Sequence, residues 1–476
     1  MSPTRAVWTV AWPMAALGLL RSFYYLTDSF WVGKLGPTQL AALGGSAFAW
    51  WMINLGCELA ATGAHARIAR HEGAGELARI PTTLAHAIAL GLLVSALLAL
   101  VYPLRHVYFD LLGFSVGSPE HGHGQAYVGA ALLGASTLAV HAVVGAAFRG
   151  LGDTRVALAL TAATLVANAA LDPLLIWGLG PIPAFGVAGA AWATALANAL
   201  GAALGFWLLA SRGHRVRWLA PTAKALWEIA RIGAPVSLSG LGFALVYVLL
   251  GRVITGFGSE QMAALGVGHR LESLAYFCCV AFGVGAATMV GQHLGAGDVQ
   301  RARQSAASAA RLALAAMLPF TLLLFALARP LFGLFTDDPA TLDAGVLYLR
   351  IQTAVLALMA LEETYKGAFT GSGRTLAASL IGFGFTAARI PAAWVLAYPL
   401  GLGIAGVWLA IAASTAIKGA LLWLLWLRRP PASPANTNPP ATPNAMSPPA
   451  TSDAMSRSRN GSPAAAGGQL SRSESA

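Results

Sequence analysis

Acidic side chains inside long apolar runs are costly to keep, so each one marks a place where chemistry or transport is expected. This chain has six: Asp28, Glu58, Asp172, Glu272, Glu362 and Glu363. Asn168 and Asp172 are four residues apart, so on a helix they share one face. A carboxylate held in low-dielectric surroundings favours a bound proton or a small cation over a bare charge. Carboxylate, amide and hydroxyl oxygens together make a hard-oxygen shell suited to such a cation. That is the chemistry of moving an ion, not of breaking a bond. No nucleophile–base pair, metal-ligand set or pore-filter sequence stands out. Neither an enzyme nor a metal centre nor an organic cofactor is expected; the only bound species implied is H⁺ or Na⁺.

The elements that must position these groups follow from composition. Of 476 residues, 57% are hydrophobic and 10% charged, and the mean hydropathy is +0.65. A soluble protein carries about 25% charged residues, so the composition argues against a soluble enzyme. The net charge of +11 would suggest nucleic acid in a soluble domain. Here the basic residues fall between apolar segments, which is how a membrane protein sets its orientation. No nucleic-acid partner is expected.

Gly, Pro and charge divide the chain into twelve apolar spans, each long enough to cross the bilayer core. They fall near 7–33, 38–64, 80–104, 125–148, 155–179, 185–210, 227–254, 261–290, 304–328, 343–369, 376–399 and 402–427. Pro13, Pro173, Pro235 and Pro391 lie inside spans and predict kinks. Arg67, Arg70, Arg79, Arg149, Arg155, Arg212, Arg215 and Arg301 sit after even-numbered spans. Only Lys34, Arg105 and Arg329 sit securely after odd ones. Both termini are therefore expected in the cytoplasm, in a multi-pass protein of the inner membrane whose first span is retained. From Pro430 the chain turns rich in Pro, Ala, Ser and Asn, and 430–476 is expected to be a disordered cytoplasmic tail.

The strongest signal is internal repetition. Shifted by 222 positions, Pro13 meets Pro235, Ala41-Ala42-Leu43-Gly44 meets Ala263-Ala264-Leu265-Gly266, and Gly73-Ala74-Gly75-Glu76 meets Gly295-Ala296-Gly297-Asp298. One position less brings Gly150-Leu151-Gly152 onto Gly371-Ser372-Gly373. Six spans per half is an even number, so the repeat is parallel, about an axis along the membrane normal. The expected fold is all-α: twelve transmembrane helices in two six-helix bundles related by a parallel pseudo-two-fold. The bundles are expected at 1–213 and 227–429, with a linker at 214–226.

The run Asp28-Ser29-Phe30-Trp31-Val32-Gly33-Lys34-Leu35-Gly36, the Leu40–Gly44 segment, the two Gly-Ala-Gly-acid turns, Gly150-Leu151-Gly152-Asp153-Thr154-Arg155 and Ala193-Thr194 after Gly189 resemble the multidrug and toxic compound extrusion (MATE) family, nearest its DinF-like branch. The resemblance covers residues 1 to about 428. It implies a monomeric, cation-coupled antiporter that lies in the lipid bilayer and exports small drug-like molecules. In that family an Asp of span 1, an Asn-x-x-x-Asp pair of span 5 and a Thr of span 6 form a cation site, and Asp28, Asn168, Asp172 and Thr194 match it. The alternative reading of Asp172, one residue before Pro173, is that it only satisfies backbone groups freed by the proline.

The repeat-related positions hold no acid. Leu250 stands for Asp28, Ile411 for Thr194, and Arg389 to Ala393 cover the Asn-Asp region. Ion chemistry is therefore expected to be lopsided. Glu272, Glu362 and Glu363 offer a substrate contact or second cation site, or else structural pairing, as between Glu272 and Arg270 or Arg389. Tyr25 and Trp31 are aromatic candidates for stacking on flat cations. The Gly-x-Gly turns lie between spans, not between a strand and a helix, so they are turns and not phosphate loops. Cys57, Cys278 and Cys279 are expected to pack as small apolar residues. The rival class is a flippase for lipids or lipid-linked sugars, for which Arg21, Arg252, Arg270 and Arg389 are potential intramembrane cations.

Overall fold

The computed structural model describes residues 2–111, 116–217, 220–334 and 338–428. The tail expected at 430–476 lies outside the described residues. The rest is helical, in chain order α1 (Pro3–Gly33), α2 (Pro37–Gly73), α3 (Ile80–Ala99), α4 (Arg105–Leu111), α5 (Pro119–Gly150), α6 (Thr154–Trp177), α7 (Val187–Ser211), α8 (Ala223–Thr255), α9 (Ser259–Gly295), α10 (Val299–Ala326), α11 (Ala328–Gly333), α12 (Pro339–Thr353), α13 (Leu356–Gly371), α14 (Thr375–Ala387), α15 (Arg389–Ala397) and α16 (Gly403–Arg428).

Ten apolar stretches of these helices are long enough to cross a bilayer, and α12–α13 supply an eleventh as a pair bent by 54°. With the 31-residue α1 they make the twelve spans of two six-helix bundles. In lipid each backbone amide must be satisfied within its own helix, which is why the spans are helical throughout. The starts are fixed by side-chain caps: Ser118 for α5, Asp153 for α6, Thr222 for α8 and Asp298 for α10, each accepting from a backbone N–H. Glu76, at the repeat position of Asp298, instead pairs with Arg79 and His71.

The four prolines differ in whether their helix continues past them. α1, α6 and α8 run unbroken through Pro13, Pro173 and Pro235. Only near Pro391 does a break occur, at Ala388 between α14 and α15. Proline removes the bond to the carbonyl four residues earlier, so a break just upstream is the expected place.

The two halves exchange the starts of their first helices. Val7 of α1 is buried in a cluster with Val290, Leu294 and Phe369 of the second half. Its repeat partner Ile229 of α8 is buried with Ala60, Ala64 and Ile68 of the first. Gly63 and Gly233 allow the α2–α8 approach, because a Cβ there would lie 2.3 Å from the carbonyl of Ile229 and 1.9 Å from that of Leu59. Small residues at crossings let helix backbones meet where no hydrophobic effect drives them together. The lobes thus meet along the ends that carry Arg67, Arg70 and Arg149, called the basic face below.

Candidate functional site

Asp28 sits on α1, one and a half turns before its end, and is 6% exposed. Asn168 and Asp172, one turn apart on α6, are fully buried, and Thr194 on α7 is 2% exposed. Gly189 brings α7 onto α6: a Cβ there would lie 2.4 Å from the carbonyl of Leu175. The four residues named from the sequence converge. Asn168 Nδ2 donates to Asp172 Oδ1 at 3.1 Å and to Thr194 Oγ1 at 3.4 Å. The carboxyl groups of Asp28 and Asp172 are neighbours.

Asp28 Oδ1, Asn168 Oδ1 and Asp172 Oδ2 are buried and have no hydrogen-bond partner among the described residues. Unpartnered buried oxygens are rare and costly. Three of them in one cluster, all acceptors, fit a proton or a small hard cation and fit nothing anionic. No Lys, Arg or His forms an ion pair with either carboxylate among the described residues. Asp172 Oδ1 is engaged by the Asn168 side chain and not by backbone freed at Pro173.

Asn198 was missed in the sequence. It lies one turn beyond Thr194, is 5% exposed, and donates from Nδ2 to the Thr194 carbonyl at 2.8 Å. Together with Thr194 and Trp50 it lines a small cavity between α2, α5 and α7. Its signal was a second polar residue at helical spacing in an apolar span.

The second half is built differently. Arg389, 3% exposed, donates to Ser414 Oγ at 2.6 Å, Tyr247 Oη at 2.9 Å and Thr415 Oγ1 at 2.9 Å. Glu272 accepts from Tyr348 Oη at 2.9 Å. Glu362 pairs with Lys418 at 2.8 Å, and Glu363 with Lys366. Glu362 and Glu363 are each paired with a lysine, whereas among the described residues neither Asp28 nor Asp172 is paired with a cation. The side chains of Tyr25, Arg21 and Arg270 lie outside the described residues. Trp31 meets Trp177 edge-on at 5.7 Å, and the Lys34 ammonium lies 4.4 Å from the Phe30 ring and 4.9 Å from that of Trp31.

A family model described as MatE matches twice, at residues 13–174 and 235–395. The two matches start 222 residues apart, which is the offset of the repeat. Among curated relatives, a "Probable multidrug resistance protein NorM" of Thermotoga maritima is 26% identical over 422 residues, covering 88% of this chain and 91% of that protein. An "FAD transporter" of Shewanella oneidensis is 30% identical over 338 residues, covering 69% and 73%. A solved structure of a MOP superfamily transporter from Pyrococcus furiosus superposes with a TM-score of 0.82 at 24% identity, over 90% of this chain and 96% of that one.

Proposed function

This chain belongs to the MatE family, a family of multi-pass membrane proteins, and we propose that it is a cation-coupled exporter of lipophilic, often cationic small molecules. The observation that supports this reading best is the cluster of three unpartnered buried oxygens on Asp28, Asn168 and Asp172. The name of the Thermotoga relative supports the substrate class. The orientation we propose puts the basic face and both termini in the cytoplasm, in the inner membrane, with a monomer as the working unit.

H⁺ or Na⁺ is the second substrate. Entering from outside, it neutralises Asp28 and Asp172 and supplies what the three oxygens lack. Neutralisation removes the repulsion between the carboxyl groups, so α1 and α6 draw together on binding. Asn168 holds Asp172 and Thr194 in register whether or not the ion is bound. Drug and ion then oppose each other through a coupling free energy that is reciprocal by necessity: whatever the ion costs the drug, the drug costs the ion. The two lobes alternate between openings, as parallel-repeat transporters do.

The test is dye efflux from a pump-deficient host expressing the full chain, under a proton gradient, under a sodium gradient, and with Asp28→Asn. Efflux that collapses with one gradient and in the variant supports the antiporter and names its ion. Efflux that is normal in Asp28→Asn overturns it. FAD and a lipid-linked sugar are run as alternative cargoes, and transport of either without dye efflux favours the flippase-type reading.

A further inference from the structure

The Gly-x-Gly turns are placed in the fold with a symmetry that a passive turn does not require. Arg70 of α2 and Gln292 of α9 are 222 residues apart and occupy equivalent positions in the two halves. Arg70 Nε donates across the seam to the Gly371 carbonyl at 3.3 Å. Gln292 Nε2 donates across it the other way, to the Gly150 carbonyl, at 3.1 Å. Each side chain also lies on the second glycine of the turn it reaches. A Cβ on Gly373 would lie 2.7 Å from Arg70 Nη2, and a Cβ on Gly152 would lie 3.2 Å from Gln292 Nε2. Both of those glycines have positive φ, +70° and +81°, so other residues are disfavoured there twice over.

The backbones behind the two side chains are seated in the same reciprocal way. A Cβ on Gly73 would lie 1.7 Å from the Gln292 carbonyl, and a Cβ on Gly295 would lie 2.0 Å from the Arg70 carbonyl. Gly73 and Gly295 open the two Gly-Ala-Gly-acid turns. Both motifs that the ion site leaves unexplained therefore meet at one place, on the basic face, between the lobes.

We infer that Gly150-Leu151-Gly152 and Gly371-Ser372-Gly373 are each a receptor for one side chain of the opposite lobe, and that Arg70 and Gln292 form a two-pronged lock holding the basic face shut. The prongs are related by the pseudo-two-fold, so one rocking motion withdraws both. Neither can be left in place while the lobes part on this side. The asymmetry of the prongs sets their shares. The Arg70 guanidinium makes a charge-assisted bond and the Gln292 amide a neutral one, so Arg70 carries the larger part. A salt bridge from Arg67 to Glu228 and a hydrogen bond from His65 to Thr288 at 2.9 Å cross the same seam. They have no repeat-related counterpart, since Ala6, Met289, Ala66 and Ala287 stand at those positions.

Calling this the inner gate of an exporter rests on the function proposed above; the lock itself does not. It is tested by electron–electron distance measurement on the full chain in lipid nanodiscs. Cys57, Cys278 and Cys279 are first replaced by Ala, and spin labels are placed at Ala78→Cys and Gln300→Cys. These sites are exposed, repeat-related and one in each lobe. The parent should show one dominant short distance. Arg70→Ala plus Gln292→Ala should raise the population of longer distances on the order of tenfold, Arg70→Ala alone more than Gln292→Ala alone. Gly373→Ala should resemble Arg70→Ala. An unchanged distribution in the monodisperse double variant overturns the lock. If that variant does not fold, Arg70→Lys and Gln292→Asn are judged by the same criterion. A shifted distribution in a protein that moves no dye leaves the lock standing and overturns the export reading instead.

Discussion

Asn168 and Arg389 stand at equivalent positions in the two halves, 221 residues apart, and face opposite chemistry. Asn168 bridges Asp172 and Thr194 beside three unpartnered oxygens. Arg389 fills the equivalent place with a guanidinium that donates to Ser414, Tyr247 and Thr415. One lobe is short of a positive charge and the other has one built in. On the function proposed here, a mobile cation is needed only in the lobe that has no covalent one.

That asymmetry separates the two lobes in experiment. Arg389→Met should destabilise the protein by about 3 kcal/mol, the cost of leaving the buried hydroxyls of Ser414, Tyr247 and Thr415 without their donor. Thermal unfolding in detergent measures it. Ion binding by the folded fraction should be unchanged, because the ligands proposed for it lie on α1, α6 and α7.

Glu362 and Lys418 test the same idea as a pair. Each single neutral substitution, Glu362→Gln or Lys418→Met, leaves its partner buried and uncompensated, and should cost about 3 kcal/mol. The double variant should cost clearly less than the sum. Full additivity in a double-mutant cycle would mean that the pair seen at 2.8 Å contributes no coupling.

Gly189 positions Thr194 through the α6–α7 crossing and offers no ligand to the proposed ion. Gly189→Val should push α7 from α6, since even the first carbon of the new side chain would lie 2.4 Å from the Leu175 carbonyl. The expected cost is about 1–3 kcal/mol of stability. Ion affinity should fall with it, whereas Ala131→Ser, on α5 across the small cavity beside Thr194, should leave affinity near the parent's. Isothermal titration with Na⁺ and proton-release measurements read both.

Trp31 separates cation recognition from coupling. If the aromatic edge formed with Phe30 and Trp177 receives organic cations, Trp31→Ala should weaken export of quaternary ammonium dyes by about threefold to tenfold, the range of an exposed to partly desolvated cation–π contact. Export of neutral dyes should be unaffected. Equal loss for both classes would assign Trp31 to packing.

Much of this was legible in the chain itself. The twelve spans, the offset of 222 and the convergence of Asp28, Asn168, Asp172 and Thr194 all follow from apolar length, repetition and helical spacing. Three things were not. Which proline breaks its helix was not marked: α1, α6 and α8 continue through Pro13, Pro173 and Pro235, and a break comes near Pro391, because neighbouring groups can re-satisfy a freed carbonyl without ending the helix. Pairing of Glu362 with Lys418 is a contact between α13 and α16, fifty-six residues apart, and no local pattern encodes it. The reciprocal seats of Arg70 and Gln292 were visible as repeated glycines, but the side chains they receive come from the other half and are found only once both lobes are folded.

The central claim is that Asp28 and Asp172 hold the coupling ion. Its most direct test is purified protein in liposomes, with dye uptake or release driven by an imposed proton or sodium gradient, for the parent, Asp28→Asn and Asp172→Asn. Asn keeps the size of the side chain and removes the charge, so both variants should fold. The account predicts gradient-driven dye movement in the parent and none above the gradient-free rate in either variant. Gradient-driven movement that persists in both would contradict it.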